Sequence, residues 1–205
     1  SVIVEPEANR DELCFNDCKV DRQGRLVAVS MHTGSSEPVG GIYRLDSDLA
    51  CTRLDGGMIC PNGPCWSPDG STLYVSDSYG DAIFAYDYDV SSGDISKRRT
   101  FLQTTDSGGY PDGGTVDAEG YLWSANFDAG SIRRISPEGV VDRVIELPVR
   151  WVASLTFGGD DHEVLYVTTI GGEYDGARDD SPAAGGLFAI RGLDIQGLEE
   201  TRFAG

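Results

Sequence analysis

A short pattern that returns four times constrains this chain more than any other feature. An apolar residue, a turn carrying Asp and Gly, and a strand run as KVDRQGRLVAV from Lys19 to Val29, WSPDGSTLYVSD from Trp66 to Asp77 and TVDAEGYLWSAN from Thr115 to Asn126. A looser copy, LTFGGDDHEVLYVTT, runs from Leu155 to Thr169. The turn glycines Gly24, Gly70, Gly120 and Gly159 are 46, 50 and 39 residues apart. A second pattern follows each copy: GGIYRLD from Gly40, DAIFAYDYD from Asp81, GSIRRISPEG from Gly130 and GGLFAIRG from Gly185. Each is a Gly or Asp turn leading into an alternating strand. Units of roughly 40 to 50 residues with about four short strands and little helix have the period and content of a propeller blade. A long β-sandwich also yields many short strands, but the constant order of the two patterns favours a propeller.

No linker or low-complexity tract divides residues 1–205, which read as one all-β domain. Gly171 to Gly186, rich in Gly, Asp and Pro, reads as a long surface loop. Hydrophobic residues make up 40% and charged residues 24%, the balance of an ordinary globular protein. No apolar run reaches the length of a membrane span, so no membrane partner is expected. The opening SVIVEPEANRDELC lacks the basic and apolar regions of a signal peptide. The net charge of −18 repels phosphate backbones and argues against nucleic acid as a partner. Five cysteines, an odd number, point to free thiols in a reducing, cytoplasmic setting. Neither His32 nor His162 stands at zinc-type spacing from them.

Three motifs share a chemistry. Phe15-Asn16-Asp17 precedes the first repeat, Pro61-Asn62-Gly63 opens the second and Pro111-Asp112-Gly113 opens the third. Each sets a carboxamide or carboxylate just ahead of a blade's inner strand. Inner strands surround a propeller's channel, so Asn16, Asn62 and Asp112 are expected to converge at one mouth. Oxygen donors of this kind suit a hard or borderline divalent cation. Each motif is also a common turn sequence, and it is the recurrence at equivalent blade positions that favours a shared site. Asp77, at a strand end, reads as a packing or turn residue.

These stretches resemble a known family. CFNDCKVDRQGR is similar to the motif RFNDGKVDxxGR of the regucalcin, gluconolactonase and luciferin-regenerating enzyme family. PNGPCWSPDG, YVSDS, FAYDYDVSSGDISKRR, YPDGGTVDAEGYLW, AAGGLFAI and the closing FAG extend the resemblance over nearly the whole chain. The resemblance implies a six-bladed propeller, here present as about four blades, that opens sugar-type lactones. It implies one divalent metal, Ca²⁺ first, with Zn²⁺, Mg²⁺, Mn²⁺ or Fe²⁺ as alternatives. Its ligands are a Glu from the first blade, an Asn falling on Asn62 and an Asp falling on Asp112. Asp112 is also the implied general base, and Asn16, followed by Asp17, belongs to the implied substrate pocket.

The chain departs from the family pattern in three places. Only fifteen residues precede Asn16, too few to carry the implied Glu, so the N-terminal blades are expected to be missing. Cys14 replaces the family Arg of the substrate pocket and lacks its bidentate donors. His32 and Thr33 follow Met31 where some relatives place an acidic residue, which makes His32 a pocket candidate. The alternatives are a calcium- or metal-binding propeller without catalysis, and a related ester or organophosphate hydrolase.

Overall fold

The computed structural model describes residues 2–205, and among them every regular element is a β-strand. Three four-stranded antiparallel meanders come first. They are β1 (Leu13–Val20), β2 (Leu26–His32), β3 (Gly40–Leu45) and β4 (Cys51–Met58); β5 (Pro61–Trp66), β6 (Thr72–Asp77), β7 (Ala82–Tyr88) and β8 (Ile95–Gln103); and β9 (Tyr110–Val116), β10 (Leu122–Phe127), β11 (Ser131–Ile135) and β12 (Val141–Glu146). The fourth unit has three strands, β13 (Val152–Gly158), β14 (Val164–Thr169) and β17 (Leu187–Ile190). Between β14 and β17 a separate hairpin forms from β15 (Gly172–Tyr174) and β16 (Ala177–Asp179). The stretch read from sequence as a surface loop therefore holds a hairpin. Its turn residues, Asp175 and Gly176, both have positive φ, the geometry of the tightest hairpin turns.

The first strand of each unit lies beside the first strand of the next, so β1, β5, β9 and β13 form the inner ring of a four-blade arc. Strand alternation lets each blade face both neighbours. On β6, Leu73 and Val75 join the core shared with Val27, Val29, Ile42 and Met58 of the first blade. Tyr74, between them in sequence, packs the other way with Val116, Leu122 and Ile135 of the third. Trp123 and Ala125 then meet Val152, Leu155, Leu165 and Val167 of the fourth.

The repeat turn glycines Gly24, Gly70, Gly120 and Gly159 all have φ between 74° and 89°, a region that costs other residues strain. In the first and third blades the Asp three positions before this glycine is fully buried. Asp117 accepts from Trp123 Nε1 at 2.8 Å and Arg134 Nε at 2.9 Å. Asp21 accepts from Arg25 Nε and from Tyr88 OH of the neighbouring blade, each at 2.6 Å.

The two ends of the chain close over the arc. Ile3, Val4 and Pro6 lie along the apolar face of the first blade made by Phe15, Leu26 and Tyr43. The C-terminal segment runs from the fourth blade past the third to the first. Gly197 bridges Asp117, Glu200 pairs with Lys19 at 2.6 Å, and the Ala204 N–H donates to the Gly24 carbonyl at 3.0 Å. Glu200 and Thr201 of this tail border a pocket with Asp17, Lys19, Pro64 and Gly114 of the inner strands.

Candidate active site

All four inner strands break register near their starts. The irregularities fall between Phe15 and Asp17, between Asn62 and Cys65, opposite Ser124 to Asn126 where Asp112 and Gly113 lie, and between Val152 and Ser154. A bulge inserts a residue and re-aims side chains. Asn16, Asn62 and Asp112 each stand eight positions ahead of their blade's turn glycine, so the repeat carries them to one level of the ring. The fourth blade has Ala153 at its bulge and offers no polar side chain there.

Asn16, Asn62 and Asp112 line one cavity of about 230 Å³, together with Ser78, Cys60 and Met31. Asn16 Nδ2 donates to Asn62 Oδ1 at 2.7 Å and to the Pro61 carbonyl at 3.0 Å. Asn62, 8% exposed, donates from Nδ2 to Ser78 Oγ at 2.9 Å. Ser78 Oγ in turn donates to the Pro111 carbonyl at 2.7 Å, next to Asp112. Ser78 thus ties the second blade to the third and fixes which way the Asn62 carboxamide faces. Asp77 accepts the Cys60 N–H at 2.8 Å and the Ile59 N–H at 3.1 Å, holding the turn that leads into Asn62.

Gly63 has φ 55°, and a Cβ there would stand 2.7 Å from the Asp112 carbonyl oxygen and from the Gly114 nitrogen. Only glycine lets the inner strands of the second and third blades approach this closely. Burial, reinforced by the Asp17 carboxylate and opposed by the Gly113 N–H, pushes the Asp112 carboxyl up to about 7. A carboxyl in that range exchanges protons near neutrality, as a general base must. Burial also pushes the Cys60 thiol up to about 12, so at neutral pH it is a neutral wall group.

The remaining sequence candidates lie elsewhere. Asp17 accepts the Gly63 N–H at 2.9 Å and the Cys18 N–H at 2.7 Å, a strand-to-strand tie beside the site. Cys14 is exposed on β1, paired with Met31 across the ladder, and is not among the residues that line the cavity. His32 closes β2, where its Nδ1 accepts the Gly34 N–H at 3.1 Å, and it too lies off the cavity wall. Residues that the motif reading passed over are Ser78, Cys60, Met31 and an aromatic wall of Tyr79, Tyr110, Phe127 and Tyr174. The Asp175-Gly176 pair was the one sequence signal that could have revealed the hairpin carrying Tyr174.

Among the described residues no cluster of three or more His, Cys, Asp and Glu side chains could hold a metal. The donors present are the Asn62 carboxamide and the Asp112 carboxylate, with Asn16 beside them. They fit part of an oxygen-ligand shell for a hard divalent cation.

The comparisons agree with the geometry. The SMP-30/Gluconolactonase/LRE-like region matches residues 1–171. Regucalcin of Xenopus laevis is 37% identical over 201 residues, covering 93% of this chain and 66% of that protein. Pentonolactonase XacC of Haloferax volcanii is 35% identical over 182 residues, covering 86% of this chain and 62% of that protein. The chain thus spans a little under two thirds of the length of these curated relatives. The solved luciferin-regenerating enzyme superposes with a TM-score of 0.90 at 30% identity, covering 98% of this chain and 68% of that one. Four blades occupying that share of a closed ring correspond to six in the whole. Blade period, arc of inner strands and convergence of the FND, PNG and PDG motifs on one cavity all accord with these matches, and the chain belongs to the SMP-30/gluconolactonase/LRE-like family.

Proposed function

We propose that this chain carries the reactive mouth of a metal-dependent hydrolase that opens sugar-type lactones to aldonic acids. The observation that carries the reading is the cavity itself, where two carboxamides and a carboxyl from three successive blades meet and the carboxyl is held near neutrality. The lactonases among the relatives support the same reaction class.

A divalent cation held by Asn62 and Asp112, Ca²⁺ in our reading, would supply Lewis acidity toward the lactone carbonyl. The protein's own groups do the rest. The Asn62 carboxamide keeps its oxygen toward the cavity because Ser78 accepts from its nitrogen. The Asn16 carboxamide, its two N–H groups already given to Asn62 and Pro61, accepts from a ring hydroxyl through Oδ1. Asp112, ionised, accepts a proton from the attacking water as the new C–O bond forms. The ring C–O bond then breaks, and the proton passes to the departing ring oxygen, leaving a hydroxy acid and an ionised Asp112.

The test is acid release from a panel of aldonolactones, followed by pH indicator on the purified chain with added Ca²⁺, Mg²⁺, Mn²⁺ or Zn²⁺. Release above the uncatalysed rate that disappears with a chelator and in Asp112→Asn is the expected result. Cation uptake measured by calorimetry with no acid release would reject the hydrolase in favour of a binding propeller.

A further inference from the structure

The cavity has two unlike walls. One carries Asn16, Asn62, Ser78 and Asp112, and the other carries Tyr79, Tyr110, Phe127 and Tyr174. The mechanism uses the first wall only. On the second, Tyr79 and Tyr110 meet edge to face at 5.1 Å between ring centroids, and Phe127 meets Tyr174 at 5.2 Å. Phe127 also stacks on the fully buried Trp151 at 6.4 Å, so the aromatic wall is backed by core. Tyr174 alone comes from outside the blades, on the β15–β16 hairpin, and is 39% exposed. The hairpin is held by the tight Asp175-Gly176 turn and by Asp179, which accepts the Arg150 N–H at 2.7 Å. The Tyr174 ring packs on Phe127 and Trp151 and leaves part of its surface open.

The C–H face of a sugar-type ring finds aromatic surface to pack on along this second wall.

We propose that Tyr79, Tyr110, Phe127 and Tyr174 receive the C–H face of the substrate ring, with Tyr174 closing over it. The proposal rests on the hydrolase reading for the substrate and on the cavity alone for the wall. Binding and turnover are therefore measured separately. In turnover, Tyr174→Ala is expected to raise KM about tenfold with kcat little changed, the mark of a contact made equally in ground and transition states. Tyr174→Phe is expected to stay near wild type, because the ring and not the hydroxyl makes the contact. In binding, saturation-transfer NMR with gluconolactam, an uncharged ring that is not opened, is expected to give a signal that Tyr174→Ala removes and Tyr174→Phe keeps. Loss of that signal in Tyr174→Ala with no lactone turned over by any variant would support the wall and reject the hydrolase. An unchanged lactam signal in Tyr174→Ala overturns the proposal.

Discussion

Asp112→Asn should make the metal-free protein more stable while removing its candidate base. The cause is the carboxyl's position, buried between blades and facing the Asp17 carboxylate, which moves it from an ordinary 3.8 up to about 7. Well below pH 4 the group is protonated in both folded and unfolded chains and contributes nothing. From there to pH 7 the folded chain holds a proton that the unfolded chain has released. Folding stability therefore falls as pH rises across that window, and the loss is complete above about pH 7. At 1.36 kcal/mol per pH unit the full cost has a ceiling of about 4 kcal/mol, of which roughly 2 to 3 kcal/mol falls above pH 5. Measurement starts at pH 5 because the isoelectric point is near 4.2. Urea midpoints of the two proteins, with chelator present, should diverge between pH 5 and 8. With an m-value of about 3 kcal/mol/M, a 2 kcal/mol difference is roughly 0.7 M in favour of the Asn variant. Added Ca²⁺ should restore the wild type and leave Asp112→Asn unmoved. Midpoints that run parallel across the range would refute the claim that burial and Asp17 hold this proton.

Three further substitutions test other parts of the construction. Ser78→Ala frees the Asn62 carboxamide to turn and should weaken cation binding about tenfold, the scale on which residues supporting a ligand act; Tb³⁺ luminescence sensitised by Tyr79 and Tyr110 reads it, and an unchanged affinity would remove Ser78 from the site. Gly63→Ala drives a methyl to 2.7 Å from the backbone of the neighbouring blade at a positive φ and should cost about 2–4 kcal/mol in urea unfolding, with a near-neutral effect contradicting the close approach. Asp117→Ala strips the buried partner from Arg134 and Trp123 Nε1 and should cost about 3 kcal/mol, softened by the ion pairs that Arg134 keeps with Glu119 and Asp142; a thermal midpoint within a degree of wild type would show that those pairs suffice.

Much of the fold was legible because a blade is a local object. The Asp-Gly turns, alternating strands and repeat period are set by neighbours in sequence, and the structure returns the turn glycines at positive φ and the meanders between them. The shared offset of Asn16, Asn62 and Asp112 from those glycines also follows from the repeat. What sequence could not give was each residue's direction. Cys14, Asn16 and His32 were all pocket candidates, but the bulge between Phe15 and Asp17 turns Asn16 into the cavity, while Cys14, also on the inner strand, is exposed off the cavity wall and His32 bonds its own turn. Gly171 to Gly186 read as loop for its composition, although Asp175-Gly176 is a strong hairpin pair.

The amino-acid order by itself determined the blades, their number in this chain and the three positions that would share one level of the ring, since each depends on turn chemistry and side-chain alternation over a few residues. Only the tertiary structure decided that Ser78 joins Asn62 to the strand of Asp112, that burial beside Asp17 holds a carboxyl near neutrality, and that Tyr174 stands opposite them. Those depend on how closely separate blades approach, and that distance is set by core packing between residues far apart in the chain.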